Sequence, residues 1–139
     1  MKKIFCDNWL AKILLCMTSC HTITIGPFVL SKRKEERITQ ETRNHECTHS
    51  RQWVEMTVLS GLLIWIGMLI FGYSAWWLII AGVAFYIWYG IEWFIRIILY
   101  IGKDKRAYNY VSFEREAYVN QSNPNYLENS NYFAWLWYI

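Results

Sequence analysis

The chain has 139 residues, which is the length of a single domain. Hydrophobic residues make up 55% of it, aromatic residues 19% and charged residues only 18%, a composition that is unusual for a soluble domain and typical of a protein with membrane-interface aromatic belts. The net charge of +3 is small, and the only dense basic run, within residues 32–37, has no aromatic residues between its charges. We therefore expect no nucleic-acid partner.

Residues 1–20 predict an amphipathic segment that lies at a membrane surface. Lys2 and Lys3 precede an apolar run, but Asp7 and Lys12 interrupt that run and leave it too short to cross a bilayer. A short helix in the interface is the structure that such a pattern favours.

Residues 21–42 predict a strand followed by a charged loop. The stretch "TITIGPFVL", residues 22–30, alternates β-branched residues with others and contains Gly26 and Pro27. Because proline cannot donate to a strand ladder, we expect one short edge strand or a hairpin here. The charged loop ends where Thr42 or Asn44 could cap a helix.

Residues 43–101 predict a helix that runs into a transmembrane hairpin. No Lys, Arg, Asp or Glu lies between Glu55 and Glu92. The two expected spans cover about residues 56–73 and 75–95, and the first would rise about 27 Å as a helix, close to the thickness of a hydrocarbon core.

The distribution of positive charge predicts the orientation of this hairpin. All 14 Lys and Arg residues lie outside residues 52–95, so the positive-inside rule places both termini on the cytoplasmic side of the inner membrane. Residues 102–139 would form a cytoplasmic helix that carries glutamates, followed by an aromatic tail. The predicted fold is therefore a mainly α integral membrane protein with the lipid bilayer as its partner.

The sequence "RNHECTHSRQW", residues 43–53, contains the motif H-E-x-x-H. On a helix, His45 and His49 share one face and can bind one zinc ion. Glu46, next to them, can act as a general base on a zinc-bound water. The metzincin pattern requires a further histidine at position 55, which is glutamate here, so that class is excluded.

A catalytic zinc site needs a third protein ligand. Three residues are candidates from the sequence: His21, the remaining histidine of the chain, and Glu114 and Glu116 in "FEREAY". The two glutamates are two residues apart on a predicted helix and cannot easily point the same way. Either one could instead orient a ligand, and His21 could help to stabilise a developing oxyanion.

These motifs together resemble those of membrane gluzincins, such as the heat-shock and CAAX-prenyl membrane proteases and the antibiotic-sensor metallopeptidases. They are "HTITIGPFVL", "NHECTHSRQWVEM", "YGIEWFIR" and "SFEREAYVN", which are most similar to those of a family of small bacterial membrane proteins of zincin type. The resemblance implies a zinc peptidase with Glu114 as the third ligand and an edge strand that holds the substrate. Tyr118 stands where gluzincins have an aspartate that orients a histidine ligand, so Asn120, Glu116 or another acid would have to replace it.

Three charged residues adjoin the expected spans. Glu92 and Arg96 are four residues apart and predict an ion pair along the helix. Glu55 lies about 80° around the helix from His45, so it could reach the edge of the site, although this position alone does not assign it a role.

Two functions remain open. The first is a membrane-bound zinc metallopeptidase that hydrolyses a peptide or protein substrate, with Glu46 as the general base. The alternative is a non-catalytic sensor or scaffold protein that binds zinc structurally or not at all. An intramembrane protease of the site-two type is disfavoured, because neither Asp7 nor Asp104 lies in the motif that such a site requires. Neither span contains G-x-x-x-G, so the oligomeric state is not predicted.

Overall fold

The computed structural model describes residues 4–101 and 104–139, without the side chains of residues 104–106. It confirms the prediction of a mainly helical chain with a small sheet. The strands are β1 (Ile4–Phe5), β2 (Thr22–Ile25) and β3 (Phe28–Ser31), and the helices are α1 (Trp9–Leu14), α2 (Gln40–Phe71), α3 (Leu78–Leu99), α4 (Asp104–Asn109), α5 (Ser112–Asn120) and α6 (Tyr126–Asn129). Short 3₁₀ helices cover Glu35–Arg37, Ala75–Trp77 and Ala134–Tyr138.

The sheet is a β2–β3 hairpin extended by one further strand. β2 and β3 pair in antiparallel fashion, with Ile25 opposite Phe28, so Gly26 and Pro27 form the turn. Pro27 therefore lies outside the ladder, where its missing N–H has no cost. β1 pairs with the other side of β3 in a parallel arrangement, which leaves β2 at an edge. The N-terminal segment thus contributes a strand as well as the short helix α1.

Gly26 allows the hairpin turn to pack closely on α2. Its φ is +59°, and a Cβ at this position would lie 3.4 Å from the Trp53 side chain. We expect Gly26→Ala to destabilise the protein by about 1–2 kcal/mol, because the left-handed conformation is strained for any residue with a Cβ. Thermal unfolding in detergent measures this change. Gly90→Ala is the matched control, since a Cβ there meets nothing within 4 Å, and equal effects of the two variants would contradict the expectation.

Helix α2 begins earlier than the sequence suggested. Thr39, rather than Thr42 or Asn44, caps it, and the Thr39 hydroxyl accepts a hydrogen bond of 3.2 Å from the Thr42 N–H. The helix ends at Phe71, and the residue after it, Gly72, caps the helix with a φ of +69°. Its 32 residues rise about 48 Å, which is enough to carry a polar, buried N-terminal part and an apolar C-terminal part.

Two helices, α2 and α3 with its preceding 3₁₀ turn, are long and apolar enough to cross a membrane. Only 11% and 17% of their most apolar stretches are buried within the protein. A core helix of a soluble protein would be mostly buried, so these helices leave a large apolar surface open. They pack on each other where Gly61 approaches Ala81, with 3.6 Å between the Ala81 Cβ and a Cβ built at Gly61.

Glu92 of α3 fixes the start of α5. Its carboxylate accepts hydrogen bonds from the Ser112 backbone N–H (2.8 Å) and the Ser112 hydroxyl (2.6 Å), and it pairs with Arg96 at 3.2 Å. The predicted ion pair is therefore present. Because a carboxylate at a helix N-terminus satisfies free N–H groups and favours the helix dipole, Glu92 connects the apolar hairpin to the helix that carries Glu114.

The C-terminal tail is anchored in the core by Trp135, while Tyr132, Leu136, Trp137 and Ile139 are exposed. Trp135 is buried against Phe113 and Trp88. Glu55 belongs to this region: its carboxylate pairs with Arg51 (2.8 Å) and accepts a hydrogen bond of 3.0 Å from the Phe133 N–H. The interpretation that Glu55 could reach the edge of the metal site finds no support in these contacts, which instead hold the tail.

Candidate metal centre

His45 and His49 lie one turn apart near the start of α2 and turn their Nε2 atoms toward each other. The two Nε2 atoms are 3.1 Å apart, and the rings meet edge to face with their centroids separated by 4.7 Å. The arrangement follows from the i, i+4 spacing on one helix face. It leaves both Nε2 atoms available to one ion.

Glu114 of α5 completes the cluster. Its Oε2 lies 3.5 Å from His45 Nε2, and its Oε1 lies 3.3 Å from His49 Nε2. Donor atoms that each lie about 2.0–2.1 Å from a tetrahedral zinc ion are about 3.3 Å from one another. The two histidine nitrogens are 3.1 Å apart, and the nitrogen–oxygen distances of 3.3 and 3.5 Å, which end on different oxygens of Glu114, are close to this spacing. With one donor atom from each residue, the three atoms lie within 4.8 Å of one another, so His45, His49 and Glu114 could hold a metal.

The surroundings of Glu114 leave one carboxylate oxygen unsatisfied. Oε1 accepts hydrogen bonds from the Tyr89 hydroxyl (2.9 Å) and the Tyr108 hydroxyl (2.7 Å). Oε2 is buried and has no hydrogen-bond partner among the described residues. A buried carboxylate oxygen without a donor is costly unless a cation satisfies it, and Oε2 points to such a cation.

The charges of the three residues are coupled. Burial alone would raise the pKa of Glu114, but the hydrogen bond and charge of His49 outweigh it and lower that pKa to about 2. Burial also works against protonation of His49, yet the adjacent Glu114 carboxylate raises the pKa of that imidazole. For His45, burial and the neighbouring His49 lower the pKa. The cluster thus favours the anionic form of the Glu114 carboxylate and the neutral form of the His45 imidazole.

Glu46 lies on the strand side of the same site. Its two carboxylate oxygens accept hydrogen bonds from the hydroxyl groups of Thr22 (2.8 Å) and Thr24 (2.6 Å) on β2. A carboxylate has about four acceptor positions, so two remain for other donors.

A cavity of about 330 Å³ connects Glu46 with the cluster. Its walls come from four parts of the chain: the segment after α1, strand β2, helix α3, and the residues around the His–His–Glu cluster. The residues that line it include Thr18, Thr22, Thr24, His45, Glu46, His49, Tyr86, Tyr89, Tyr108 and Glu114. Cavities of this size hold small molecules or short peptide segments.

Glu116 and His21, the other two predicted candidates, lie outside the cluster. Glu116 is buried and accepts hydrogen bonds from Gln52 Nε2 (2.8 Å) and the Tyr126 hydroxyl (2.7 Å). Burial raises the pKa of Glu116, although both hydrogen bonds oppose the rise. The backbone carbonyl of His21 accepts hydrogen bonds from Ser31 and Lys32, which fixes His21 at the start of β2.

Three residues near the cluster were not found from the sequence. Gln52 contacts His49, and Tyr89 and Tyr108 contact Glu114. Gln52 lies three residues after His49 on the same helix, so the i, i+3 rule could have indicated it. No spacing rule connects the tyrosines to the motif, because they reach it only through tertiary packing.

Comparison with protein-family models, with curated proteins and with solved structures gave no match for this chain. The resemblance to membrane gluzincins therefore stays a prediction from the motifs.

Proposed function

We propose that the protein is a membrane-bound zinc metallopeptidase that binds one zinc ion through His45, His49 and Glu114. The observation that carries the proposal is the cluster geometry, in which one donor atom from each of the three residues lies within 4.8 Å of the other two, beside a cavity that Glu46 also lines. Two imidazole nitrogens and one carboxylate are a donor set typical of catalytic zinc. When bound, zinc polarises the substrate carbonyl and lowers the pKa of a water.

Glu46 is the general base in this proposal. It lies next to His45 in sequence, and its carboxylate keeps two acceptor positions beyond those used by Thr22 and Thr24. It takes a proton from the attacking water and then gives it to the amine of the leaving peptide, as a positioned carboxylate does in general acid–base catalysis.

The substrate is proposed to be an extended peptide that lies along β2. Among the described residues, this strand pairs with β3 on one side and with no strand on the other. Thr22, Ile23 and Thr24 line the cavity. An exposed strand edge binds an extended chain through main-chain hydrogen bonds, which would place a peptide bond between Glu46 and the metal ligands.

The apolar parts of α2 and α3 are proposed to cross the bilayer, with the metal site on the cytoplasmic side. The low burial of both helices and the absence of Lys and Arg from residues 52–95 support this placement. Ser74, in the turn between the helices, would then face the other side.

The cysteines of the chain provide a test of this topology. Cys6, Cys16, Cys20 and Cys47 all lie on the proposed cytoplasmic side. We expect a membrane-impermeant maleimide to label a Ser74→Cys variant in intact cells and to label the unmodified protein only after lysis. Labelling of the unmodified protein in intact cells would contradict the proposed orientation.

A non-catalytic zinc protein is the alternative, and the contacts of Glu46 favour it. Both carboxylate oxygens bind threonine hydroxyls of β2, so Glu46 also joins the hairpin to α2. If this were its whole role, zinc would hold α2 and α5 together without hydrolysis.

Zinc-dependent cleavage of peptides separates the two functions. We expect detergent-purified protein to cleave members of a fluorogenic peptide library, to lose this activity with a chelator and to regain it when zinc is added. Absence of cleavage by zinc-loaded protein, or cleavage that persists after the chelator has removed the metal, would contradict the peptidase proposal.

A further inference from the structure

Gln52 is buried between the metal cluster and α5, and its amide has one orientation only. The side chain is 1% exposed. Its Nε2 lies 3.0 Å from the Phe113 carbonyl oxygen and 2.8 Å from Glu116 Oε2. A backbone carbonyl can only accept a hydrogen bond, so the atom that faces Phe113 must be the amide nitrogen. This assignment holds whether or not Glu116 carries a proton.

The orientation of Gln52 determines the tautomer of His49. With Nε2 directed at Phe113, the other end of the amide is Oε1, which lies 2.8 Å from His49 Nδ1. Because Oε1 can only accept, His49 Nδ1 must carry a hydrogen and donate it. In the neutral imidazole the lone pair is then on Nε2, the atom that faces His45 and Glu114.

His45 has no comparable hydrogen-bond partner among the described residues. Tyr118 stands in place of the expected aspartate, and its ring packs edge to face on His45, with the centroids 4.6 Å apart. His45 Nδ1 is buried and has no hydrogen-bond partner in the described part of the chain. Among the residues that the structure describes, a side chain therefore holds the second nitrogen of His49 but not that of His45.

We propose that Gln52 is the positioning residue of the metal site, which holds His49 in the tautomer that presents Nε2 to zinc, and that Glu116 and Phe113 hold Gln52 in turn. The inference rests on the proposed zinc site and adds the group that orients one of its ligands. It also gives Glu116 a role, since its carboxylate binds the Gln52 amide and not the ion. The orienting group of His49 is thus a neutral amide from the same helix, three residues further along the chain.

The zinc affinity of two alanine variants tests this role. Loss of a group that orients a metal ligand lowers metal affinity by about 10–100-fold, and we expect a loss in this range for Gln52→Ala in competition with a chelator. Asn44→Ala is the matched control. Asn44 is a buried amide on α2. Its Nδ2 donates hydrogen bonds of 2.8 and 2.9 Å to the carbonyls of Gln121 and Asn123. These bonds join α2 to the region after α5 without involving His49.

Two affinity results would overturn the inference. The first is zinc binding by Gln52→Ala that is as tight as in the unmodified protein. The second is an equal loss in Asn44→Ala, which would show that any break between α2 and the C-terminal region weakens the site. The inference is supported if the zinc affinity of Gln52→Ala falls while that of Asn44→Ala stays within about threefold of the unmodified protein.

The tautomer of His49 can be read without any variant. We expect ¹⁵N NMR of the metal-free protein in detergent, at a pH where both imidazoles are neutral, to show His49 with hydrogen on Nδ1 and a lone pair on Nε2. The opposite tautomer would overturn the inference. Hydrolysis enters neither measurement, so an inactive protein with this tautomer and this zinc affinity would contradict the peptidase proposal and leave the role of Gln52 intact.

Discussion

Replacement of Glu46 by glutamine is expected to lower the rate of peptide hydrolysis by about 10²–10⁴-fold, the range that a positioned general acid–base group contributes. Zinc should stay bound at one ion per chain, because Glu46 is not among the three clustered donors. Glutamine keeps the size of the side chain and can still exchange hydrogen bonds with Thr22 and Thr24. The measurement is kcat for a cleavable peptide together with the zinc content of the same sample.

Glu41→Gln is the matched control for this variant. Glu41 lies on the same helix, five residues before Glu46, and its carboxylate accepts a hydrogen bond from the Ser122 hydroxyl at the surface. Its replacement should leave hydrolysis and zinc content unchanged. Equal hydrolysis by Glu46→Gln and the unmodified protein would remove Glu46 from the mechanism and favour its structural role on β2.

Replacement of Glu114 by glutamine is expected to weaken zinc binding by more than 100-fold. The change removes the anion of the cluster and leaves two imidazoles and an amide, which is a poor zinc ligand. Loss of a group that only orients a ligand lowers metal affinity by about 10–100-fold, and we expect loss of the ligand itself to lower it further. Glu116→Gln is the matched comparison, because it makes the same change two residues away on the same helix. We expect its zinc affinity to stay within about tenfold of the unmodified protein.

Chelator competition measures both affinities. A larger loss in Glu116→Gln than in Glu114→Gln would contradict the assignment of Glu114 as the ligand. Similar small losses in both variants would show that neither glutamate binds the ion.

Helix α2 with its histidine pair and the apolar hairpin could be predicted from the sequence because both depend on local patterns. The spacing of His45 and His49 places them on one face of any helix, and a charge-free stretch of this length has few alternatives to a long apolar helix. The start of α2 was placed too late because Thr39 caps the helix from within a charged stretch that resembled a loop.

The resemblance to gluzincins favoured Glu114 over Glu116, but residue spacing alone left the choice open. Both glutamates are buried, and their spacing says only that they point in different directions. The direction of each is fixed by contacts from elsewhere: Glu92 holds the first residue of α5, and Phe113 packs in the core. Only the folded chain then shows that Glu114 faces the histidines.

Other differences have the same physical origin. A strand of two residues, such as β1, carries no periodic pattern, and its partner β3 is distant in sequence. Glu55 has the angular position expected from the helix, but Arg51 and the Phe133 N–H bind its carboxylate. Helix geometry predicts the direction of a side chain, but tertiary contacts decide which groups bind its polar atoms.

The zinc content of detergent-purified protein tests the metal centre most directly. After dialysis against metal-free buffer, inductively coupled plasma mass spectrometry should find one zinc ion per chain in the unmodified protein and almost none in a His45→Ala, His49→Ala double variant that still folds. A protein without bound zinc that fails to take it up when zinc is supplied, or a double variant that keeps its zinc, would contradict the assignment of His45, His49 and Glu114 as its ligands.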